Sequence, residues 1–200
     1  PPWRRLREPQ SLAVALLLSV PLGVLAAFGL LLMGTALAPG ERAEVTVEAD
    51  RLAHVLVFFV LLVSLHELLH AVSFPESLSS RNVVLGIWPR ALLFYAHYVG
   101  ELSRERFLLS LICPFAAISI GSLLLTLIDP ARSGLWTFAG VLNALSSSMD
   151  LLGVLLVIAQ LPPGRTGTQS GALHLLETRC GMTLPLRACF ARGQIAASHI

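Results

Sequence analysis

The chain contains no lysine and has few charged residues of any kind. Charged side chains make up 13% of the 200 residues, whereas hydrophobic side chains make up 55%. A soluble domain normally carries about 25% charged residues, so this deficit excludes an ordinary soluble globular protein. Together with a mean hydropathy of +0.76, the composition predicts an integral membrane protein that forms one compact domain.

Two further absences exclude other classes of protein. All 14 basic residues are arginine, and no basic run interleaved with aromatic residues occurs in the sequence. Nothing therefore favours a nucleic-acid partner. The three cysteines, Cys113, Cys180 and Cys189, show no CxxC spacing, so we expect no disulfide framework. Cys113 lies in an apolar run, which is typical of a small buried hydrophobic residue.

Four apolar stretches are long enough to cross a hydrocarbon core of about 30 Å. They are residues 11–38, 51–73, 107–128 and 134–160. The first stretch is much longer than the hydrophobic core of a signal peptide, so we interpret it as a retained helix. We therefore expect an all-α integral membrane fold of about four transmembrane helices.

Arginine in the flanking segments predicts the orientation of these spans. The N-terminal segment and the second loop are rich in arginine, the first loop is acidic, and the tail carries four arginines. Because loops rich in positive charge stay in the cytoplasm, this alternation predicts four crossings with both termini cytoplasmic. The exclusive use of arginine is typical of a GC-rich bacterial genome, so we expect a multi-pass protein of a bacterial cell membrane, with the lipid bilayer as its surroundings.

Two segments outside the spans have patterns of their own. Residues 83–88 and 91–99 are β-prone runs separated by a proline, which predicts a small β-hairpin on the cytoplasmic side. An amphiphilic loop lying on the lipid headgroups is the alternative. After residue 160, prolines and glycines break any continued helix. We therefore divide the chain into a membrane-embedded domain, residues 1–160, and a poorly ordered cytoplasmic tail, residues 161–200.

The second span contains the pattern H-E-x-x-H, as His66-Glu67-Leu68-Leu69-His70. Side chains four residues apart lie on one face of a helix, so both imidazoles can bind one metal ion, and Zn²⁺ is the expected one. Glu67 is adjacent to that face and can act as general base towards a water molecule that the metal activates. Ionisable groups are costly inside a bilayer, which favours a functional centre over a polar patch that only packs helices.

Asp150 in the fourth span is the predicted third zinc ligand, because a catalytic zinc ion usually has three protein ligands. His66 lies 15 residues after Arg51, and Asp150 lies 16 residues after Gly134. The predicted orientation makes both spans run in the same direction. At about 1.5 Å per residue, the two side chains then lie at a similar depth. This match in depth predicts a shared site.

Further polar residues lie on the same helix face as Asp150. Asn143 is seven residues earlier and Ser146 is four residues earlier, with Ser147 on the flank of that face. We predict Asn143 as a catalytic residue that donates a hydrogen bond to the oxyanion formed when a carbonyl is attacked. The serines are candidates to hold the Asp150 carboxylate. Polar contacts between helices are the alternative for Asn143 and the serines.

Pro114 interrupts the third span about two turns from its predicted cytoplasmic end. Proline frees a backbone carbonyl group and kinks a transmembrane helix. A kink at that depth would make room for substrate and water beside the predicted site. A kink that only improves the packing of the helices is the alternative.

These motifs resemble a bacterial family of membrane zincin peptidases that was defined as a domain of unknown function. The resemblance rests on the H-E-x-x-H motif followed by Ala71, on the run 103–107 that leads through Pro114, and on the segment 143–150. It covers roughly residues 50–160. Membership of such a family implies peptidase activity with a bound zinc ion.

More distantly, the chain is similar to the site-2 proteases, which cleave membrane-embedded substrates. This similarity implies His66 and His70 as zinc ligands, Glu67 as base and Asp150 as third ligand. It also implies that the hairpin offers an edge strand to an unwound substrate. The chain departs from the pattern of those proteases in three ways. Serines precede Asp150 where they carry prolines, and Leu151 follows it where they carry a glycine. The remaining length has no room for a PDZ-like domain.

The sequence thus predicts a zinc-dependent intramembrane or membrane-proximal peptidase that uses a metal-activated water molecule. Its expected substrate is a membrane protein or peptide. The alternative is a non-catalytic membrane protein that binds a metal ion or serves as a scaffold for a partner. Haem ligation by the two histidines is a third interpretation, and it leaves Glu67 without a role. Nothing in the sequence indicates the oligomeric state.

Overall fold

The computed structural model describes residues 9, 11–39, 52–88, 93–164 and 166–168. The helices are α1 (Leu12–Leu37), α2 (Leu52–Ser73), α3 (Arg104–Ile128), α4 (Ser133–Ser146) and α5 (Ser148–Gln160). The strands are β1 (Val83–Trp88), β2 (Leu93–Tyr98), β3 (Glu101–Ser103) and β4 (Thr166–Thr168). A short 3-10 turn, Pro130–Arg132, joins α3 to α4.

Most of the fold consists of long apolar helices. In the described part of the chain, three helices are long and apolar enough to cross a membrane, and the pair α4 and α5 makes a fourth if it counts as one span. Large apolar side chains cover the outward faces: Leu17, Leu25, Leu61 and Ile128 expose between 64% and 77% of their surface. Soluble proteins rarely expose such continuous apolar surface. The predicted helical architecture is confirmed, and insertion into a bilayer stays a prediction.

The fourth predicted span differs from the structure. The sequence predicts one helix over residues 134–160, but the chain forms α4 and α5, which are bent by 50° at Ser147. The Ser147 hydroxyl donates to the carbonyl oxygen of Asn143 at 2.8 Å, so of the two candidate serines Ser147 does not hold the Asp150 carboxylate. A serine hydroxyl that bonds to the backbone in this way bends a helix. The break places Asp150 in the first turn of α5, where free backbone N–H groups favour a carboxylate.

Helix α1 packs closely against the α4–α5 pair because small residues lie at the contacts. A Cβ atom added to Gly34 would overlap the side chain of Thr137, and one added to Gly23 would lie 2.8 Å from Cβ of Ser148. Small residues allow helix backbones to approach in this way, as is common in membranes. Helix α1 therefore supports the break that positions α5.

We expect Gly23→Ala to destabilise the protein, because its methyl group would lie 2.8 Å from Cβ of Ser148. Overpacking of this kind costs about 1–3 kcal/mol. Gly29→Ala in the same helix is the matched control, since nothing lies within 4 Å of its Cβ position. Alanine favours helix more than glycine does, so the control should be at least as stable as wild type. Thermal unfolding in detergent measures both, and equal midpoints would contradict the close contact.

The predicted β-hairpin is present in the structure. Strands β1 and β2 pair in antiparallel fashion, from Val83 opposite Tyr98 to Trp88 opposite Leu93. The connecting residues, 89–92, lie outside the described part of the chain. An apolar cluster joins this hairpin to the ends of the helices. Its buried members are Ala71, Phe74, Val83, Tyr98, Leu102, Phe107, Val157 and Leu161. The cluster therefore holds the hairpin beside the last turns of α2.

Strands β3 and β4 form a second small antiparallel sheet, in which Glu101–Ser103 pairs with Thr166–Thr168. The sequence gives no signal for this pairing, because strands of three residues are too short to show a period. Strand β4 belongs to the segment that the sequence predicts as a tail. Residues 165 and 169–200 of that segment lie outside the described residues, and the division into domains stays a prediction.

Candidate metal centre

The H-E-x-x-H motif occupies the last two turns of α2. His66 is buried, with 5% of its surface exposed, and His70 is half-buried one turn later. Their ring centroids are 4.9 Å apart, and their Nε2 atoms are 3.2 Å apart. The spacing of the motif places both imidazoles on one helix face, as the sequence predicts.

Asp150 reaches the same point from α5. Its Oδ2 atom lies 3.1 Å from Nε2 of His66 and 3.5 Å from Nε2 of His70. The His66 and Asp150 side chains come together although they are 84 residues apart in the chain. The structure thus brings together the three residues that the sequence names as metal ligands.

The three donor atoms have the spacing that zinc requires. They form a triangle with sides of 3.1, 3.2 and 3.5 Å. Ligands of a tetrahedral zinc ion, bound at about 2.0–2.1 Å, lie about 3.3–3.4 Å from one another. Two imidazoles and one carboxylate also make a donor set that is typical of catalytic zinc. The residues therefore fit Zn²⁺ in both size and chemistry.

Asn143 holds the His66 ring from α4. Its side chain is buried, with 1% of its surface exposed. Its NH₂ group faces the carbonyl oxygens of Pro114 and Phe115, each at 3.4 Å. Its Oδ1 atom must therefore accept the Nδ1–H of His66, at 3.0 Å. The predicted oxyanion role needs donors directed at a substrate; here they face carbonyl groups of α3, and the catalytic role of Asn143 stays a prediction.

The second histidine has a backbone partner. Nδ1 of His70 donates to the carbonyl oxygen of Ser110 on α3, at 2.6 Å. Hydrogen bonds of this kind from metal-binding histidines fix the tautomer and the direction of the ring. Both imidazoles therefore carry their proton on Nδ1 and present the lone pair of Nε2 to the centre of the triangle.

The donor atoms of three side chains thus converge on one point. When both imidazoles are neutral, the two Nε2 atoms and Oδ2 of Asp150 are all acceptors, and they lie 3.1–3.5 Å apart. Acceptors at such distances repel one another in a poorly solvated interior unless a positive charge lies among them. The electrostatics of the site therefore favour a bound cation at the point where the donor triangle fits zinc.

Glu67 lies beside the triangle and contacts the hairpin. A carboxylate oxygen of Glu67 and one ring nitrogen of each histidine all lie within 4.8 Å of one another. Its Oε2 atom accepts a hydrogen bond from the backbone N–H of Ala96, at 2.8 Å. The N–H of Val99 bonds to the carbonyl of Asn82 at 2.7 Å, so these two residues form a hydrogen-bonded pair. Hydrogen-bonded and non-hydrogen-bonded pairs alternate along antiparallel strands, so the N–H of Ala96 points away from β1. The edge of β2 that points away from β1 thus lies beside the motif.

A second polar cluster anchors the base of the hairpin. Glu76 accepts hydrogen bonds from the Tyr98 hydroxyl at 2.6 Å, from the Asn82 side chain at 2.9 Å, and from the Ser80 hydroxyl. These bonds, that from Ser80 foremost, hold the pKa of Glu76 below its usual value, and the bond to Glu76 raises the pKa of Tyr98. The cluster fixes the loop between α2 and β1, and no sequence motif indicates it.

The helical fold and the H-E-x-x-H motif on one helix together are the features that characterise the zincin class. Residues 59–165 match the DUF3267 family, whose description reads "Putative zincin peptidase". The match spans more than half of the chain, which belongs to this family. The predicted family is thereby confirmed. Comparisons with the curated proteins and with the solved structures give no match, so the similarity to site-2 proteases rests on the motifs alone.

Proposed function

We propose that this protein is a zinc-dependent peptidase that hydrolyses peptide bonds within or close to a membrane. The observation that carries the proposal is the triangle formed by His66, His70 and Asp150, whose donor atoms converge at 3.1–3.5 Å. A scaffold protein has no reason to bring three acceptors together among apolar helices, where polar groups are costly. A metal-dependent reaction gives that arrangement a purpose.

In this proposal, His66, His70 and Asp150 hold the metal ion. Zinc, when bound, supplies a Lewis acid that activates a water molecule and polarises a peptide carbonyl group. Glu67 receives a proton from the attacking water molecule and delivers it to the leaving amine. The Ala96 N–H fixes Oε2 of Glu67, so Oε1 is the oxygen that moves the proton.

The surroundings of the centre favour a membrane protein or a peptide as substrate. Apolar side chains flank the motif on the outer face of α2, where Leu65 and Leu68 are exposed. A helical segment pairs its own carbonyl groups, so a scissile bond must first be unwound into an extended form. An extended segment could then pair with the edge of β2 that points away from β1 and lies beside Glu67.

Metal removal tests the proposed function. The detergent-purified protein should contain about one zinc ion per chain by mass spectrometry, as expected for a single catalytic site. In liposomes that also contain membrane-protein substrates, fragments detected by mass spectrometry should disappear after chelation and return when Zn²⁺ is added. A protein that holds no zinc even after reloading would support the scaffold alternative. Zinc without cleavage of any substrate would support a non-catalytic metal-binding protein.

A further inference from the structure

The proline within α3 leaves one backbone carbonyl without its helical partner. Pro114 has no N–H group, so the carbonyl of Ser110, four residues earlier, receives no hydrogen bond from it. Both residues are buried. An unpaired carbonyl is costly in an apolar interior, and it needs another donor. The Nδ1–H of His70 is that donor, at 2.6 Å.

The bond between His70 and Ser110 has a chemical consequence at the metal centre. A neutral imidazole carries one proton, and a carbonyl oxygen can only accept it, so the Nδ1 position is fixed as the donor. The Nε2 lone pair then points to the centre, where Oδ2 of Asp150 lies 3.5 Å away. A helical N–H at position 114 would compete with His70 for the Ser110 carbonyl and draw that carbonyl towards the helix axis.

The same turn of α3 also supports the other histidine. The carbonyl groups of Pro114 and Phe115 receive the NH₂ group of Asn143, and Asn143 in turn accepts the Nδ1–H of His66. The backbone around the proline thus orients one imidazole directly and the other through an amide.

We propose that Pro114 is a positioning residue of the metal centre, which acts by withholding a backbone N–H group. The missing donor reserves the Ser110 carbonyl as the acceptor that orients His70. This inference rests on the proposed zinc site, and it goes beyond the kink that proline imposes on a helix. Partners that orient metal-binding histidines typically change metal affinity by about 10–100-fold.

Two substitutions at this position separate the missing N–H from the shape of the proline. Pro114→Ala introduces an N–H group. Pro114→lactic acid, made by nonsense suppression, has the same methyl side chain on an ester that has no N–H. The affinity of the purified full chain for Zn²⁺ is measured by competition with a chromophoric chelator. We expect about 10–100-fold weaker binding for Pro114→Ala and affinity close to that of wild type for Pro114→lactic acid.

A matched control lies in α1, where Pro21 is also inside a helix but is exposed, whereas Pro114 is buried. Pro21→Ala should leave the affinity for Zn²⁺ unchanged. Equal affinities of the two Pro114 variants would overturn the inference, because the backbone N–H would then have no effect. If wild type binds no zinc, the proposed function itself fails. If wild type binds zinc and the two Pro114 variants bind it equally, only the inference about Pro114 fails. Zinc affinity is the readout, so the test does not depend on cleavage.

A second pair of variants tests the acceptor itself, including the case in which Pro114→Ala does not fold. Leu111→leucic acid turns the Ser110 carbonyl into an ester carbonyl, which is a weaker acceptor. Leu109→leucic acid makes the same change two residues earlier in α3 and leaves Ser110 intact. We expect only the Leu111 variant to bind Zn²⁺ more weakly. Equal affinities of these two variants would overturn the role of the Ser110 carbonyl.

Discussion

Replacing Glu67 by glutamine should abolish cleavage and leave the bound zinc in place. The amide has nearly the same shape, and its oxygen can still accept the hydrogen bond from Ala96 that Oε2 accepts at 2.8 Å. It cannot take a proton from water. Loss of a general base lowers the rate by about 10²–10⁴-fold. Initial rates on a membrane-protein substrate and the zinc content of the same preparation measure the two halves of this prediction.

Glu105→Gln is the control for this substitution. Glu105 is exposed in the first turn of α3, so this substitution should change neither the zinc content nor the rate of cleavage. Wild-type cleavage by the Glu67→Gln variant would show that another group moves the proton. Loss of zinc from that variant would instead identify Glu67 as a metal ligand.

The Asp150→Asn substitution should weaken zinc binding by more than about 100-fold, which exceeds the effect of most partners outside the coordination sphere. Asparagine keeps the shape of the side chain but removes the negative charge that lies 3.1 Å and 3.5 Å from the two Nε2 atoms. Two neutral imidazoles then face Zn²⁺ without a carboxylate. Cleavage should fall with the zinc content, and competition with a chelator measures the affinity.

Asp129→Asn provides the matched control. Asp129 pairs with Arg132 at 2.8 Å, in the turn between α3 and α4, and that pair is partly exposed. Surface pairs of this kind contribute little to stability, so we expect unchanged zinc binding. If Asp150→Asn retained full affinity while Glu67→Gln lost it, the third ligand would be Glu67 and the geometric assignment would be wrong.

The part of the centre that sequence could predict depends on regular helix geometry. The spacing of His66 and His70 specifies one face of a helix, whatever the rest of the fold does. The place of Asp150 beside His66 can be predicted from the depth of both residues along their spans, because that comparison needs only the rise per residue of a helix. The structure brings these three side chains together, and their roles as ligands stay a prediction until zinc is measured.

The remaining features depend on tertiary contacts that carry no signal in residue type. The Ser110 carbonyl and the Ala96 N–H are backbone groups, which every residue except proline possesses, so no motif distinguishes them. Asn143 was placed on the correct helix face, but the direction of its amide is set by carbonyl groups on α3. The break at Ser147 lies inside a continuous apolar run, where hydropathy alone predicts an unbroken helix.

The large distance along the chain between His66 and its partners also determines when the centre can exist. The ribosome releases α2 first, and Asn143 and Asp150 follow 77 and 84 residues later. At about 5–20 residues per second, 84 residues take about 4–17 s to synthesise. During that interval the histidines of α2 have neither their carboxylate nor their amide partner. A nascent or truncated chain therefore lacks the complete set of donor atoms, and the proposed metal centre can form only after α5 has been synthesised.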